Sequence, residues 1–151
     1  MYLEFTRNTP LLVQIFFVYF VMAPIMDMDR FTAGVTALSL FEGAYASEIY
    51  RSGIVSINIG QWEAAYALGM NRLASYRYII LPQAIRRILP PLTSQSVSLI
   101  KDSSLLSVIA ISELTMQANE IVAETFLVFE IYFCIAAIYL VLALILSQVV
   151  T

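Results

Sequence analysis

GQWEAAYALGMNRLASYRYIILPQAIRR, residues 60–87, is a polar, helix-patterned interlude in an otherwise apolar chain. Gln61 to Leu68 are good helix formers, Gly69 stands where a left-handed C′ residue would end that helix, and Asn71 is placed to cap a second one. The second helix is expected to stop before Pro82, which makes the stretch an elbow of two short helices. Taken alone it is a structured surface hairpin. Its flanks say where that surface lies. Of the 151 residues, 60% are apolar or aromatic and 13% charged, and the mean hydropathy is +0.82. A soluble domain carries about 25% charged residues and could not cover this much apolar matter with the polar surface left. Lipid is therefore the expected solvent. Crossing it takes roughly 17 to 25 apolar residues in a helix, and four stretches qualify: 10–26, 31–50, 88–110 and 125–150. Thr9 followed by Pro10 reads as the N-cap and first position of the first span. The expected fold is an all-α membrane protein of four transmembrane helices with a cytoplasmic loop at 60–83.

Composition also excludes. A net charge of −3 is not the basic footprint of a nucleic-acid binder. One cysteine, Cys134, forms no internal disulfide, and a chain without histidine lacks the commonest metal ligand and general base. Orientation follows from lysine and arginine. Arg51, Arg72, Arg77, Arg86 and Arg87, five of the eight basic residues, fall between the second and third spans, where Glu63 is the sole acid. That loop is expected in the cytoplasm. Asp27, Asp29, Arg30 and the acidic run from Ser112 to Glu124 then lie outside, and both termini of the chain inside.

Within the elbow, Glu63, Ala64 and Ala65, then Gly69, then Ile79, Leu81 and Pro82, fill all seven positions of the pattern E-A-A-x3-G-x9-I-x-L-P. The chain thereby resembles the permease subunits of bacterial ABC importers, whose EAA loop docks in a groove of a cytoplasmic ATPase. RNTPLLVQIFFVYF (7–20), ALSLFEGAYASEIYRSGI (37–54), LIKDSSLLSVI (99–109) and FEIY (129–132) are similar to the polar amino-acid permeases of the histidine/glutamine type. The resemblance implies a subunit of the bacterial inner membrane that moves an amino acid along a pathway shared with a second permease chain, identical or paralogous. ATP would be used by a separate ATP-binding subunit, and substrate delivered by an extracytoplasmic amino-acid-binding protein. The chain itself has no G-x-x-x-x-G-K-[ST] phosphate loop, and no cofactor of its own is expected. Small Ala64 and Ala65 suit close approach to the ATPase, Gly69 the turn, and Glu63 an ion pair across the contact. The family usually has five spans. Those read here correspond to the second through fifth, so 1–151 is expected to be one transmembrane domain lacking the first span and the customary basic tail, with Asn8 where glycine is usual.

Polar residues at membrane depth need partners or water. Lys101 and Asp102 are either an internal ion pair or part of the pathway, where an amino acid needs an acceptor for its ammonium and donors for its carboxylate; the resemblance favours the pathway. Glu42 can meet a substrate cation or a neighbouring helix, and the stripe Ser39, Gly43, Ser47 beside it reads as a helix-packing face. Two alternatives stand beside the importer: a non-functional fragment of such a permease, and a membrane hydrolase using Lys101 as base for Ser98 or Ser104. The Asp102 carboxylate argues against the hydrolase, since a base has to be neutral.

Overall fold

The computed structural model describes residues 2–149, and every regular element in that range is helical. Helix α1, Tyr2–Asn8, meets α2, Leu11–Met26, at 115°. Gln14 holds that corner. Its carboxamide donates to the Thr6 carbonyl (2.8 Å), the Thr9 carbonyl (3.1 Å) and the Thr9 hydroxyl (2.8 Å), which explains a polar residue in an apolar run. The Thr9 hydroxyl donates back to Phe5 O at 2.8 Å and caps nothing ahead of it; Pro10 occupies the N-cap position without a side-chain bond. Thr9 is thus a corner residue rather than the expected cap.

Helix α3, Arg30–Val55, is longer than the span expected at 31–50. Asp29 caps it by accepting from Phe31 N at 3.0 Å and from Thr32. The hydrogen bonds from the Thr32 side chain and backbone hold the Asp29 carboxyl below its ordinary range. The elbow follows as α4, Ile59–Ala67, and α5, Arg72–Ser75. Beyond it the chain does not stop at Pro82. A π-turn over Tyr76–Ile80 leads directly into α6, Leu81–Asp102, which tightens to 3-10 geometry over Ser103–Ile109.

The π-turn accounts for the difference. Proline offers no N–H and its ring crowds the carbonyl four residues back. Here the residue before Pro82, Leu81, donates five residues back to Tyr76 O, which widens the turn ahead of the ring. The same device recurs in α2, where Ala23, just before Pro24, donates to Val18 O at the end of the π-turn Val18–Met22. The acidic run expected as a connection is largely helix α7, Leu114–Thr125, capped by Glu113. Phe126 in the left-handed region (φ 59°) ends it. Helix α8, Val128–Val149, begins three residues after the start expected for the fourth span, and position 150 of that span lies outside the described residues.

Apolar side chains gather at the two ends of the α3/α6 pair. One cluster joins Leu11, Ile15 and Val18 of α2 to Ala33 and Ala37 of α3 and to Leu106, Ile109 and Ile111. The other joins Ile57, Ile80, Ala84 and Ile88 beneath the elbow. The two helices pack tightly at Gly53, where a Cβ would stand 2.3 Å from Ile88 Cγ1. Small residues do mediate α3 packing, but Ala33, Gly34, Ala37, Ala44 and Gly53 are the buried ones, whereas Ser39, Gly43 and Ser47 are exposed. The packing stripe is rotated from the one expected. Among the described residues, Val128–Gln148 qualifies as a span by length and apolarity, as does the bent pair α1 and α2 taken together, whereas α3 and α6 do not.

Candidate functional site

The elbow is built from local capping chemistry. Asn58 Oδ1 accepts from Gly60 N at 2.8 Å to start α4. At its end Met70 N donates to Ala65 O (3.1 Å) and Gly69 N to Tyr66 O (2.9 Å), the paired bonds of a Schellman motif. Gly69 takes φ +75°, and nothing lies within 4 Å of where its Cβ would be, so conformation rather than space demands glycine. Asn71 Oδ1 then accepts from Ala74 N at 2.9 Å, and the Ser75 hydroxyl, fully buried, donates to Asn71 O at 2.9 Å. Gln83 Nε2 reaches Gln61 Oε1 at 3.0 Å and bolts α4 to α6. The Trp62 ring sits 6.3 Å from Tyr66 and 6.5 Å from Tyr76.

This arrangement divides the seven motif positions. Ala65 is 2% exposed, so its methyl supports the elbow from within and is not available to touch a partner. Ile79 packs against the cluster beneath, and Leu81 is half-buried. Glu63, Ala64, Gly69 and Pro82 face outward. With them are apolar side chains that the pattern does not name: Leu68 is 80% exposed and Leu73 76%. Ile59, Tyr66 and Tyr78 are exposed on the elbow as well, so it presents apolar surface beside its charges.

The polar residues of the membrane-facing helices fall into two groups. Gln95 Nε2 on α6 donates to both Glu42 carboxylate oxygens on α3, at 3.0 and 3.2 Å. Lys101 turns the other way, toward a hollow it shares with Ser98 and with Ser147 of α8. Among the described residues the ion pairs are Arg7 with Glu48 and Arg51 with Glu48, so Lys101 and Asp102 do not pair within 4.0 Å. Arg7 joins the site through a long-range fold-back: the corner at Gln14 lays α1 along α3 and brings the guanidinium to 4.0 Å from Glu48 and 5.8 Å from the Tyr45 ring centroid. In the sequence Arg7 is no more than a basic residue ahead of a span. The glutamine inside an apolar run was the signal of the corner.

The family described as binding-protein-dependent transport system inner membrane component matches residues 1–151, and the chain belongs to it. Its members are transport components of the inner membrane and not enzymes. The glutamine transport system permease protein GlnP of Escherichia coli strain K12 is 44% identical over 149 residues, covering 97% of this chain and 68% of that one. The L-cystine transport system permease protein TcyB of Bacillus subtilis strain 168 is 43% identical over 150 residues, covering 98% and 64%. A solved structure, described as the crystal structure of an amino acid ABC transporter with histidines, superposes with a TM-score of 0.90 at 44% identity, covering 99% of this chain and 70% of that chain.

Proposed function

We propose that this chain is the transmembrane subunit of an ATP-driven amino-acid importer, with the elbow as its mechanical joint and the Glu42, Asp102 and Lys101 region as part of its pathway. The observation that carries the reading is the elbow, where Glu63, Ala64, Gly69 and Pro82 of the motif face outward while Ala65, Ile79 and Leu81 tie the elbow to the start of α6. A cytoplasmic ATP-binding subunit would seat on Glu63, Ala64, Leu68 and Leu73, while Ala65, Gly69, Ile79, Leu81 and Pro82 give the joint its shape. Displacement of the tip would travel through the Gln61–Gln83 bond and the buried Ile80 and Ala84 into α6, and along it to Gln95. Gln95 holds Glu42, so the stroke would reach the polar groups between α3 and α6. The likeness to permeases for glutamine and for L-cystine supports an α-amino acid as the cargo. A second permease chain would complete the pathway, and an extracytoplasmic binding protein would deliver the substrate. In this reading the helices cross at about 10–26, 31–50, 88–110 and 125–150 with the elbow in the cytoplasm, while the start of α1, expected at the cytoplasmic surface, runs back along α3 to Leu40, whose carbonyl accepts from the Tyr2 hydroxyl.

The test is uptake of labelled L-glutamine and L-cystine into proteoliposomes holding this chain, its ATPase subunit and its binding protein. ATP-dependent accumulation of at least one is expected. Glu63→Lys combined with Leu73→Asp should abolish accumulation and co-purification with the ATPase while membrane insertion persists. Accumulation without ATP, or a double variant that still retains the ATPase at the native ratio, would sink the reading.

A further inference from the structure

Between α1, α3 and α6 lies a hollow of about 370 Å³ walled by Arg7, Tyr45, Glu48, Ser94, Gln95 and Ser98 among others. That volume lies within the range of small-molecule sites, roughly 300 to 1,000 Å³. Its charges are not mutually satisfied. The Glu48 carboxylate is already gripped by Arg51, whose Nε stands at 2.9 Å and whose Nη2 also donates. Arg7 approaches the same carboxylate only at 4.0 Å, and its side chain is 41% exposed. A guanidinium has five N–H donors, and among the described residues Arg7 spends none of them in a hydrogen bond. Two arginines share one glutamate, and Arg51 holds it the closer, so the Arg7 guanidinium keeps its donors free at this end of the hollow.

Two carboxylates stand across Gln95. Glu42 and Asp102 have no ion-pair partner within 4.0 Å among the described residues, since Lys101 faces the hollow toward α8. Gln95 is the hinge between the two regions: its carboxamide lines the hollow and its Nε2 is committed to Glu42, so Oε1 remains as an acceptor. Ser98, on the same wall, makes no hydrogen bond among the described residues and adds a hydroxyl one helical turn away.

We infer that this hollow is a subsite for the zwitterionic end of an α-amino acid, with Arg7 taking the carboxylate. The ammonium lies toward Gln95 Oε1 and the Ser98 hydroxyl on the wall of the hollow, with the Glu42 carboxylate held behind Gln95. The carboxylate and ammonium of an α-amino acid are two substituents of one carbon, and the hollow offers a donor, Arg7, and acceptors, Gln95 and Ser98, on its walls. Arg7 is suited to the carboxylate because its planar fork matches two oxygens at once, and because the Tyr45 ring under it limits its wandering. This inference rests on the importer reading above and adds to it a specificity residue, Arg7, on a helix outside both the motif and the Lys101–Asp102 stretch.

The experiment uses the chain assembled with its ATPase subunit in lipid nanodiscs, without the binding protein, which would read the carboxylate itself. The probes are L-glutamine, its α-amide, which lacks the carboxylate, and N-acetyl-L-glutamine, which lacks the ammonium. Should another of the common L-amino acids or L-cystine bind the wild-type complex more tightly, that amino acid and its two blocked forms are used instead. The wild-type complex should prefer the free amino acid to its α-amide by about tenfold or more, the scale of one charge-assisted hydrogen-bonded pair. Arg7→Met should shrink that preference to about twofold or less and leave the discrimination against the N-acetyl form in place, while Arg7→Lys restores part of it. An arginine-selective dicarbonyl reagent on the wild-type complex provides an arm that no misfolding variant can spoil: the free amino acid, and not its α-amide, should protect Arg7. Retention of the full carboxylate preference in Arg7→Met, or modification of Arg7 indifferent to ligand, overturns the subsite while leaving the importer intact. A wild-type complex that binds none of the amino acids overturns both.

Discussion

Gly69 shows how much one backbone dihedral can decide. Its φ of +75° closes the Schellman turn, and the open space around it removes any steric excuse for glycine. Substitutions there should therefore rank by left-handed propensity and not by size. Asparagine, which tolerates that region, should be mildest; alanine should cost about 1 to 2 kcal/mol, and β-branched valine up to about 3 kcal/mol. Strain of that size at the joint should be read in the ATPase held per permease after purification, falling in the order Gly, Asn, Ala, Val at constant membrane insertion. Equal retention by all four variants would mean that the turn is not what positions the docking face. A dependence on side-chain volume alone would mean that a partner fills the space now open.

Among the elements, the contact of α3 with α6 is the one that, in the proposed coupling, would carry motion from the elbow to the polar groups between the two helices. Ile88 occupies the place a Cβ on residue 53 would need. Gly53→Ala should force overpacking worth about 1 to 3 kcal/mol, and Ile88→Ala should leave a cavity of its own. Together they should cost less than the sum, a coupling of roughly 0.5 kcal/mol or more in a double-mutant cycle of thermal stability; strict additivity would deny the contact. The sequence disclosed these elements unevenly. Gly69 and Asn71 were legible because capping is local chemistry, settled within a few residues. The course of the helix through Pro82 was not, because a proline announces a missing N–H without saying whether the preceding turn will widen to absorb it. The face chosen for α3 packing was misread for a different reason: Ser39, Gly43 and Ser47 are as small as Ala37, Ala44 and Gly53, and only the position of α6 selects between the two stripes. Arg7 escaped because its place depends on a corner at Gln14 that folds one helix back against another far along the chain.

On the scale of the whole molecule, α6 sets the length. Its 22 residues span about 33 Å at 1.5 Å each, close to the hydrocarbon thickness of about 30 Å, and the two apolar clusters sit near its two ends. Charge divides along the same axis. Arg51, Arg72, Arg77, Arg86 and Arg87 belong to the elbow end, while Asp27, Asp29, Glu113, Glu120 and Glu124 belong to the other, where Arg30 is engaged by Ala110 O at 3.0 Å. In the proposed orientation, a bilayer drawn between the clusters leaves the basic end in the cytoplasm. Cysteines on the exposed Leu73 and Glu124 test this directly, in a Cys134→Ala background because Cys134 is itself exposed. An impermeant maleimide added to intact cells should label Glu124→Cys and spare Leu73→Cys. Inverted vesicles stripped of the ATPase should give the opposite pattern, and restoring the ATPase should protect Leu73→Cys again. Labelling of both positions from outside would remove the bilayer from between them. The mirror-image result would turn the elbow away from any source of ATP, and the mechanical joint would have to be sought on the acidic side.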